Sequence, residues 1–437
     1  MTSEGNHTPP IEYHQEFLGD ISPDTTIPDK ARILIISRDQ SYLTHGIHKF
    51  PAKFFPELPR YLIQKYSAKR KVILDPMCGS GTVVLESLLA QRQAIGIDID
   101  PMANLITRTK TTPIEQSLLK RVRQALQTKM QEIEGHQYDG VSIPEFHYRD
   151  NWFKPFVLQE LGAIKESIAA ISQLYDSRVV DFLHVIFSSI IRDVSNADPH
   201  CTRTVIRKNQ VKRINVGDTT AKFFDALKSQ IASMKELSEI VEDNDWIAPK
   251  LYMTSAIDTR LEDTSVDLAI TSPPYINAVD YPRTHQLEMY WLDLINDAPL
   301  SEMKRKYIGT ETVYKEEYSA RQISNYHTLD SILERIFELD PRRSFIVYKF
   351  FEDMKAQLAE TYRVLVPGGH YCLAVGSNLI RGVLVESHKI LAEIASSDEI
   401  GFKLERSFFS GLIRHFIRIP RKERMHGEWV LILQKPP

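Results

Sequence analysis

The sequence predicts an α/β fold: a parallel sheet whose strand–helix alternation is broken by a mostly helical block and then resumed. Three observations carry that expectation. Residues 71–75 and 94–98 are short apolar runs that each end in Asp; a glycine turn, Gly79 to Gly81, follows the first; and strand patterning disappears between residues 111 and 250.

In chain order, residues 1–30 are rich in Pro, Thr and Asp and read as a flexible N-terminal arm. The strand at 71–75 leads through the glycine turn into helical spacing over 82–91, and 94–98 is a second strand. Apolar residues then recur at helical spacing over 115–134, 156–192 and 220–243. Strands restart at 251–253 and 267–271, another at 370–375 follows the turn Pro367-Gly368-Gly369, and 403–410 with 429–434 forms a closing pair. The organisation expected is therefore 31–110 as the first part of a sheet domain, 111–250 as a helical insertion and 251–437 as the second part. One uninterrupted α/β domain with long helices is the alternative, and it accounts less well for the long loss of strands.

At about 150 residues per domain, 437 residues suit two to three domains. Lys and Arg number 54 against 57 Asp and Glu, a net charge of −3, so a polyanion must meet a local basic patch rather than the average surface. No apolar run reaches the roughly 18 residues of a membrane span, and the polar start MTSEGNHTPP lacks the basic and apolar regions of a secretory signal. Three widely spaced cysteines, Cys78, Cys201 and Cys372, form neither a disulfide framework nor a zinc pattern. These features imply a cytoplasmic protein that holds no metal.

Asp75-Pro-Met-Cys-Gly-Ser-Gly-Thr82 stands at a strand-to-helix switch, where open α/β sheets bind ligands beyond their strand ends. No Gly-Lys-Ser/Thr follows, and Val84 occupies the place of the third glycine of a dinucleotide fingerprint. A small-molecule ligand without a pyrophosphate fits better. Asp98 ends the next strand, where a carboxylate can accept ribose hydroxyl hydrogens. A purely structural turn is the alternative reading of these glycines.

Thr271-Ser-Pro-Pro-Tyr275 follows a strand directly. Its two prolines remove backbone donors and fix a turn whose carbonyls can act as acceptors, while Ser272 adds an oxygen and Tyr275 a flat face. Such a corner suits a planar base with an exocyclic amine; a strand-ending turn with a surface Tyr is the plainer reading.

Together these segments resemble the S-adenosylmethionine-dependent amino-group DNA methyltransferases, in particular the cytosine-N4 type with an S-P-P-Y motif. His45-Gly-Ile-His-Lys-Phe-Pro-Ala-Lys53 is similar to the family's methionine-side motif, 75–82 to its cofactor loop, and Gly96-Ile-Asp-Ile-Asp-Pro101 to its ribose-binding strand end. Segments 281–285, 307–311, 366–369 and 428–435 are similar to later parts of the group. The resemblance covers about 200 residues in matching order, and that conjunction is more specific than any single motif.

The resemblance implies a Rossmann-like class I methyltransferase sheet with an inserted helical domain, and S-adenosyl-L-methionine as cofactor. Cofactor contacts are implied for His48, Lys53, Asp75, Cys78, Gly79, Ser80, Gly81, Thr82, Asp98 and Asp258. Catalytic roles are implied for Ser272, Pro273, Pro274 and Tyr275 on a base flipped out of double-stranded DNA. Ser272 in place of the Asp or Asn of adenine methylases favours cytosine, and none of the three cysteines follows a proline, as carbon-5 methylation would require.

Because the chain stops soon after its last strand, target recognition falls to 111–250 or to 296–345. The run 192–217 contains Arg192, Arg203, Arg207, Lys208, Lys212 and Arg213 against Asp193 and Asp198, net +4, and is the favoured phosphate contact. Residues 414–424 form a second run of net +4, and Arg283 and His285 follow the SPPY turn closely enough to touch the target strand. Phe50 and Phe54 read as core. The expected activity is site-specific DNA methylation, plausibly paired with a restriction endonuclease; the alternatives are an adenine-N6 enzyme, an RNA methyltransferase, or a non-catalytic nucleic-acid-binding subunit.

Overall fold

Alternation of apolar side chains along short strands builds one sheet with two buried faces. The computed structural model describes residues 12–206, 212–242, 246–276, 280–295, 300–411 and 426–437. Its strands are β1 (Gln15–Leu18), β2 (Arg32–Ile36), β3 (Val72–Asp75), β4 (Gln93–Ile97), β5 (Lys250–Tyr252), β6 (Val266–Thr271), β7 (Leu365–Val375), β8 (Asn378–Ile380), β9 (Val383–Val385), β10 (Lys403–Gly411) and β11 (Gly427–Gln434). Nine of them form a sheet in the order β1-β2-β10-β11-β7-β6-β3-β4-β5, and β8 and β9 form a separate hairpin. Only β11 runs antiparallel to its neighbours, β7 and β10.

Ile73, Leu268, Ile270, Cys372, Val430 and Ile432 point to one face, where they pack with Leu58 and Leu62 of the helix Glu57–Tyr66. Leu74, Ala269, Leu373, Leu431 and Leu433 point to the other and meet the helices His327–Leu339, Pro341–Val364 and Ser387–Ala395. Both faces are thus covered, as a parallel sheet requires. Asp267 pins the register of β6 by accepting the Val72 N–H (2.9 Å) and the Lys71 ammonium (2.8 Å).

Every regular element described between β4 and β5 is helical, the four long ones being Gln116–Gly135, Pro155–Ser172, Ser177–Val194 and Asp218–Glu242. Their apolar stripes share one core with Met102, Leu105 and Ile106 of the helix Pro101–Thr111 and with Leu287, Met289 and Trp291 beyond β6. The helical block is therefore seated on the sheet's flank.

Two expectations need correction. From residue 12 the N-terminal arm is docked: β1 pairs in parallel with β2, and Ile21 and Ile27 are buried in the same core as Ile33. Pro367-Gly368-Gly369 is not a turn before a strand but lies inside β7, where the register against β6 shifts and backbone bonds tie Gly368 and Gly369 to Lys435.

Candidate active site

The sheet order reverses at β3, which sends β4 and β5 to one side and β6 and β7 to the other. A cavity of about 850 Å³, counting its open mouth, lies at the strand ends of β3, β4 and β6, where such folds place ligands. Asp75, Cys78, Gly79, Ser80, Thr82, Asp98, Ser272, Pro274 and Lys53 all line it.

The glycine turn is held by its neighbours. Cys78 N–H donates to the Ile97 carbonyl (2.8 Å) and Gly79 N–H to the Asp98 carboxylate (2.8 Å), which also accepts the Asp100 N–H (2.9 Å). Gly81 has φ +75°, and a Cβ there would stand 2.6 Å from Thr107 Cγ2, so this position requires glycine. Gly79, at φ +49°, lies under the Phe50 ring. Thr271 Oγ1 donates to Asp75 (2.7 Å), which joins the end of β6 to the end of β3.

Burial pushes the Asp75 carboxyl up to about 7, against the hydrogen bonds from Thr271 and Met77. Burial, with Asp100 adding repulsion, raises Asp98 to about 7. Burial also pushes the Cys78 thiol well up, so it is no thiolate nucleophile. Among the described residues the cavity's carboxylates Asp75 and Asp98 have no ion-pair partner, and the buried Thr82 Oγ1 has no hydrogen-bond partner. Hydroxyl and positively charged groups would satisfy both, and S-adenosylmethionine carries both. The residues fit that cofactor.

Not every expected residue reaches the cavity. His48 is buried, bonded through Nδ1 to the Lys49 carbonyl (2.9 Å) and lowered to about 4 by burial; it is absent from the lining. His45 is likewise interior, on Glu86 (2.8 Å). Lys53 lines the cavity with its ammonium held by the Gln40 and His45 carbonyls (3.0 and 3.1 Å). Gly81 shapes the turn from behind. Asp258 is exposed outside the cavity, and Ser255 and Ala256 stand there instead. Phe50 and Phe54 are core residues that also wall the cavity, with Phe50 stacked on Tyr281 at 5.6 Å.

Ser272 and Pro274 face the cavity, whereas Pro273 is buried and Tyr275 lies behind them with its hydroxyl donated to Glu428 at the start of β11. Sequence reasoning did not place Tyr281, Lys306 and Tyr307 in the cavity wall, nor Glu428 against Tyr275.

A second cavity, of about 710 Å³, shares Tyr281, Tyr307 and Ile308 with the first and is lined by Arg203, Arg283, Lys304 and Arg342 besides Asp280 and Glu311. Lys304 pairs with Asp280 (2.8 Å), and Arg203 lies 3.9 Å from Glu311. Arg283 and Arg213 are exposed. Lys212 is not a surface cation: its ammonium caps the helix Ser177–Val194 on the Arg192 carbonyl (2.8 Å). Arg192 is spent on the carbonyls of Thr202 (3.0 Å) and Asp198 (3.3 Å). His285 is interior, stacked on Phe50 at 5.2 Å, and cannot touch a DNA strand. Arg207, Lys208 and the run 414–424 lie outside the described residues. Among the described residues no cluster could hold a metal ion, and no helix is long and apolar enough to cross a membrane.

A doubly wound sheet with an antiparallel β11, a glycine turn and acid-ended strands around one cavity is an arrangement suited to S-adenosylmethionine. Residues 23–107 match the family model for DNA methylases of the N6/N4 type. The Type II methyltransferase M.MvaI of Kocuria varians is 26% identical over 374 residues, covering 80% of this chain and 81% of that one. The Type II methyltransferase M.AvaI of Nostoc sp. is 23% identical over 403 residues, covering 86% and 82%. The chain is thus similar to a DNA methylase family model over residues 23–107 and to Type II methyltransferases over most of its length. Among solved structures, a SAM-dependent methyltransferase of Methanosarcina mazei overlays with TM-score 0.31 at 11% identity, covering 86% of this chain and 97% of that one. The strand order, rather than that low-scoring overlay, is the ground for the fold.

Proposed function

We propose that the protein methylates the N4 amine of cytosine within a short sequence of double-stranded DNA, as the modification partner of a restriction endonuclease. The observation that carries the reading is that Ser272 and Pro274 open onto the same cavity as Gly79 and Asp98. The names of the Type II relatives support the restriction–modification setting.

The cofactor, when bound, supplies an electrophilic methyl group on a positive sulfur. Everything else falls to the chain. Asp75, Asp98 and Thr82 orient the ligand in the first cavity, and the Phe50 and Tyr281 rings exclude water. A cytosine amine is a poor nucleophile because its lone pair is delocalised into the ring. Ser272 Oγ, which opens onto the cavity, would accept one of its hydrogens and favour a pyramidal nitrogen. Positioning of this kind contributes about 7–11 kcal/mol. The Tyr275 ring lies behind Ser272 and Pro274, tethered through its hydroxyl to Glu428, and braces the turn from outside the cavity. Arg203 and Arg283 in the adjoining cavity suit the phosphates of the flipped strand. The helical block 111–250, which meets the sheet beside this opening, is proposed to read the target sequence.

Nucleoside mass spectrometry of DNA from a methylation-free host expressing the chain tests the reading, with Ser272→Ala as control. N4-methylcytosine that disappears in the control is the expected result. N6-methyladenine alone overturns the cytosine assignment, and no modified deoxynucleoside overturns the DNA activity.

A further inference from the structure

We infer that the ring of Tyr281, and not that of Tyr275, is the platform on which the flipped base stacks, which makes Tyr281 a base-binding residue of the site. The inference rests on the function proposed above and deepens it. A base leaving the duplex loses its stacking, and an aromatic face in the pocket returns part of that cost. Tyr275 is badly placed to supply the face: its hydroxyl is held by Glu428, and its ring lines neither cavity.

Three residues line both cavities: Tyr281, Tyr307 and Ile308. A base that passes from a strand beside Arg203 and Arg283 to a donor beside Asp98 must cross this wall. Ile308 has no flat face. Tyr307 is buried, with 9% exposure, and among the described residues no aromatic ring backs it. Tyr281 is half-buried and is backed: the Phe50 ring stacks on it at 5.6 Å, with 22° between the planes. Phe50 thus occupies one face of Tyr281, which leaves the other face and the edge for the cavities.

The platform is braced and tied to the donor site. Tyr281 opens the helix Tyr281–Thr284, whose N-cap Asp280 accepts the Arg283 N–H (3.1 Å) and the Lys304 ammonium (2.8 Å). Phe50 also stacks on His285 (5.2 Å), one turn further along. Its edge lies so close to the glycine turn that a Cβ on Gly79 would stand 3.1 Å from it. One phenylalanine therefore joins the surface offered to the base and the turn that cradles the donor, so a base stacked on Tyr281 is held in place relative to the methyl group. Arg283, in the same short helix, is exposed and lines the second cavity. A nucleotide whose phosphate rests on Arg283 brings its base to Tyr281.

Methyl transfer from labelled S-adenosylmethionine to sub-saturating genomic DNA of a methylation-free host tests this. Tyr281→Leu keeps apolar bulk against Phe50 but has no flat face. It should lower kcat/KM for DNA by about 5- to 150-fold and leave the Kd of S-adenosylmethionine unchanged. Tyr281→Phe, which keeps the ring, should stay close to the unaltered chain. An unaltered kcat/KM in Tyr281→Leu overturns the inference. So does a loss carried entirely by cofactor affinity, because the ring then serves the donor, and so does an equal loss in Tyr281→Phe, because the hydroxyl is then the active group. If Tyr281→Leu does not fold, photocrosslinking decides. DNA carrying 5-iodocytosine in place of cytosine, irradiated with the unaltered chain and S-adenosylhomocysteine, should join to the peptide that holds Tyr281. A link to Tyr275 or Tyr307 instead, or none, overturns the inference. Methylation found on adenine would overturn the cytosine reading and leave the platform standing, since every base has a flat face; 8-bromoadenine then replaces 5-iodocytosine in the crosslink. No transfer by the unaltered chain would remove both.

Discussion

Cofactor affinity should fall steeply as pH drops below 7. Asp75 and Asp98 face the same cavity and are both raised to about 7, chiefly by burial. A ligand that donates hydroxyl hydrogens or brings positive charge needs them ionised, so binding draws their pKa values down and releases protons. For one such group the affinity is reduced by 1 + 10^(7−pH), which is about 11-fold at pH 6 and about 1.1-fold at pH 8. Asp98 raises Asp75 and Asp100 raises Asp98, so the carboxylates titrate as a coupled set, and the combined loss between pH 8 and pH 6 should lie between about 10-fold and 100-fold. The sign is opposite for the ligand-free fold: a raised Asp subtracts stability as pH climbs from its unfolded value towards 7. Calorimetric titration with S-adenosylmethionine at pH 6, 7 and 8, in two buffers of different ionisation enthalpy, gives both the Kd and the protons released. Asp98→Asn should remove one released proton and flatten the curve. Equal Kd values at pH 6 and pH 8 with no proton release would refute the reasoning, because the carboxylates would then be uninvolved or already ionised.

Gly81→Ala should cost about 2–5 kcal/mol in a urea titration, combining left-handed backbone strain with overpacking of a Cβ that would stand 2.6 Å from Thr107; an unchanged midpoint would mean that the turn relaxes freely. Replacing Arg203 and Arg283 by Ala should weaken DNA binding and reduce its salt slope by roughly 0.9 per residue. Lys212→Met, which removes a helix cap and not a surface cation, should leave that slope alone. A slope unaffected by the two arginines would move the DNA strand away from the second cavity.

Much of the site was legible because its chemistry is local in sequence. An apolar run that ends in Asp, followed by glycines, gives β3 and its turn from one short stretch, and Ser272 follows β6 directly. What escaped was decided by distant packing. Nothing near Lys212 shows that its ammonium will cap a helix on a carbonyl 20 positions earlier. Nothing near His285 announces that Phe50 will stack on it. The arm of residues 12–30 looked flexible because Pro and Asp dominate it, yet its sparse isoleucines find a core that only the folded sheet provides. Glu428 lies 153 positions from Tyr275 and reaches it solely through the strand order.

The same strand order also explains why two ligands of opposite charge would meet at one point. The cavity at the β3 and β4 ends carries Asp75, Asp98 and Asp100 against Lys53 and Lys306, whereas its neighbour carries Arg203, Arg283, Lys304 and Arg342 against Asp280 and Glu311. A positively charged methyl donor is drawn to the first and a polyanion to the second. Exchanging the two would place like charges together in sites of low dielectric, where repulsion is least screened. The shared wall of Tyr281, Tyr307 and Ile308 is then the place where a base swung from the DNA strand meets the donor. Ser272, on the donor side of that wall, would engage the amine of whichever base arrives there. On the proposed function, the charge division therefore orients both reactants before any hydrogen bond to the base is made, and base choice is left to the acceptors of the serine–proline corner.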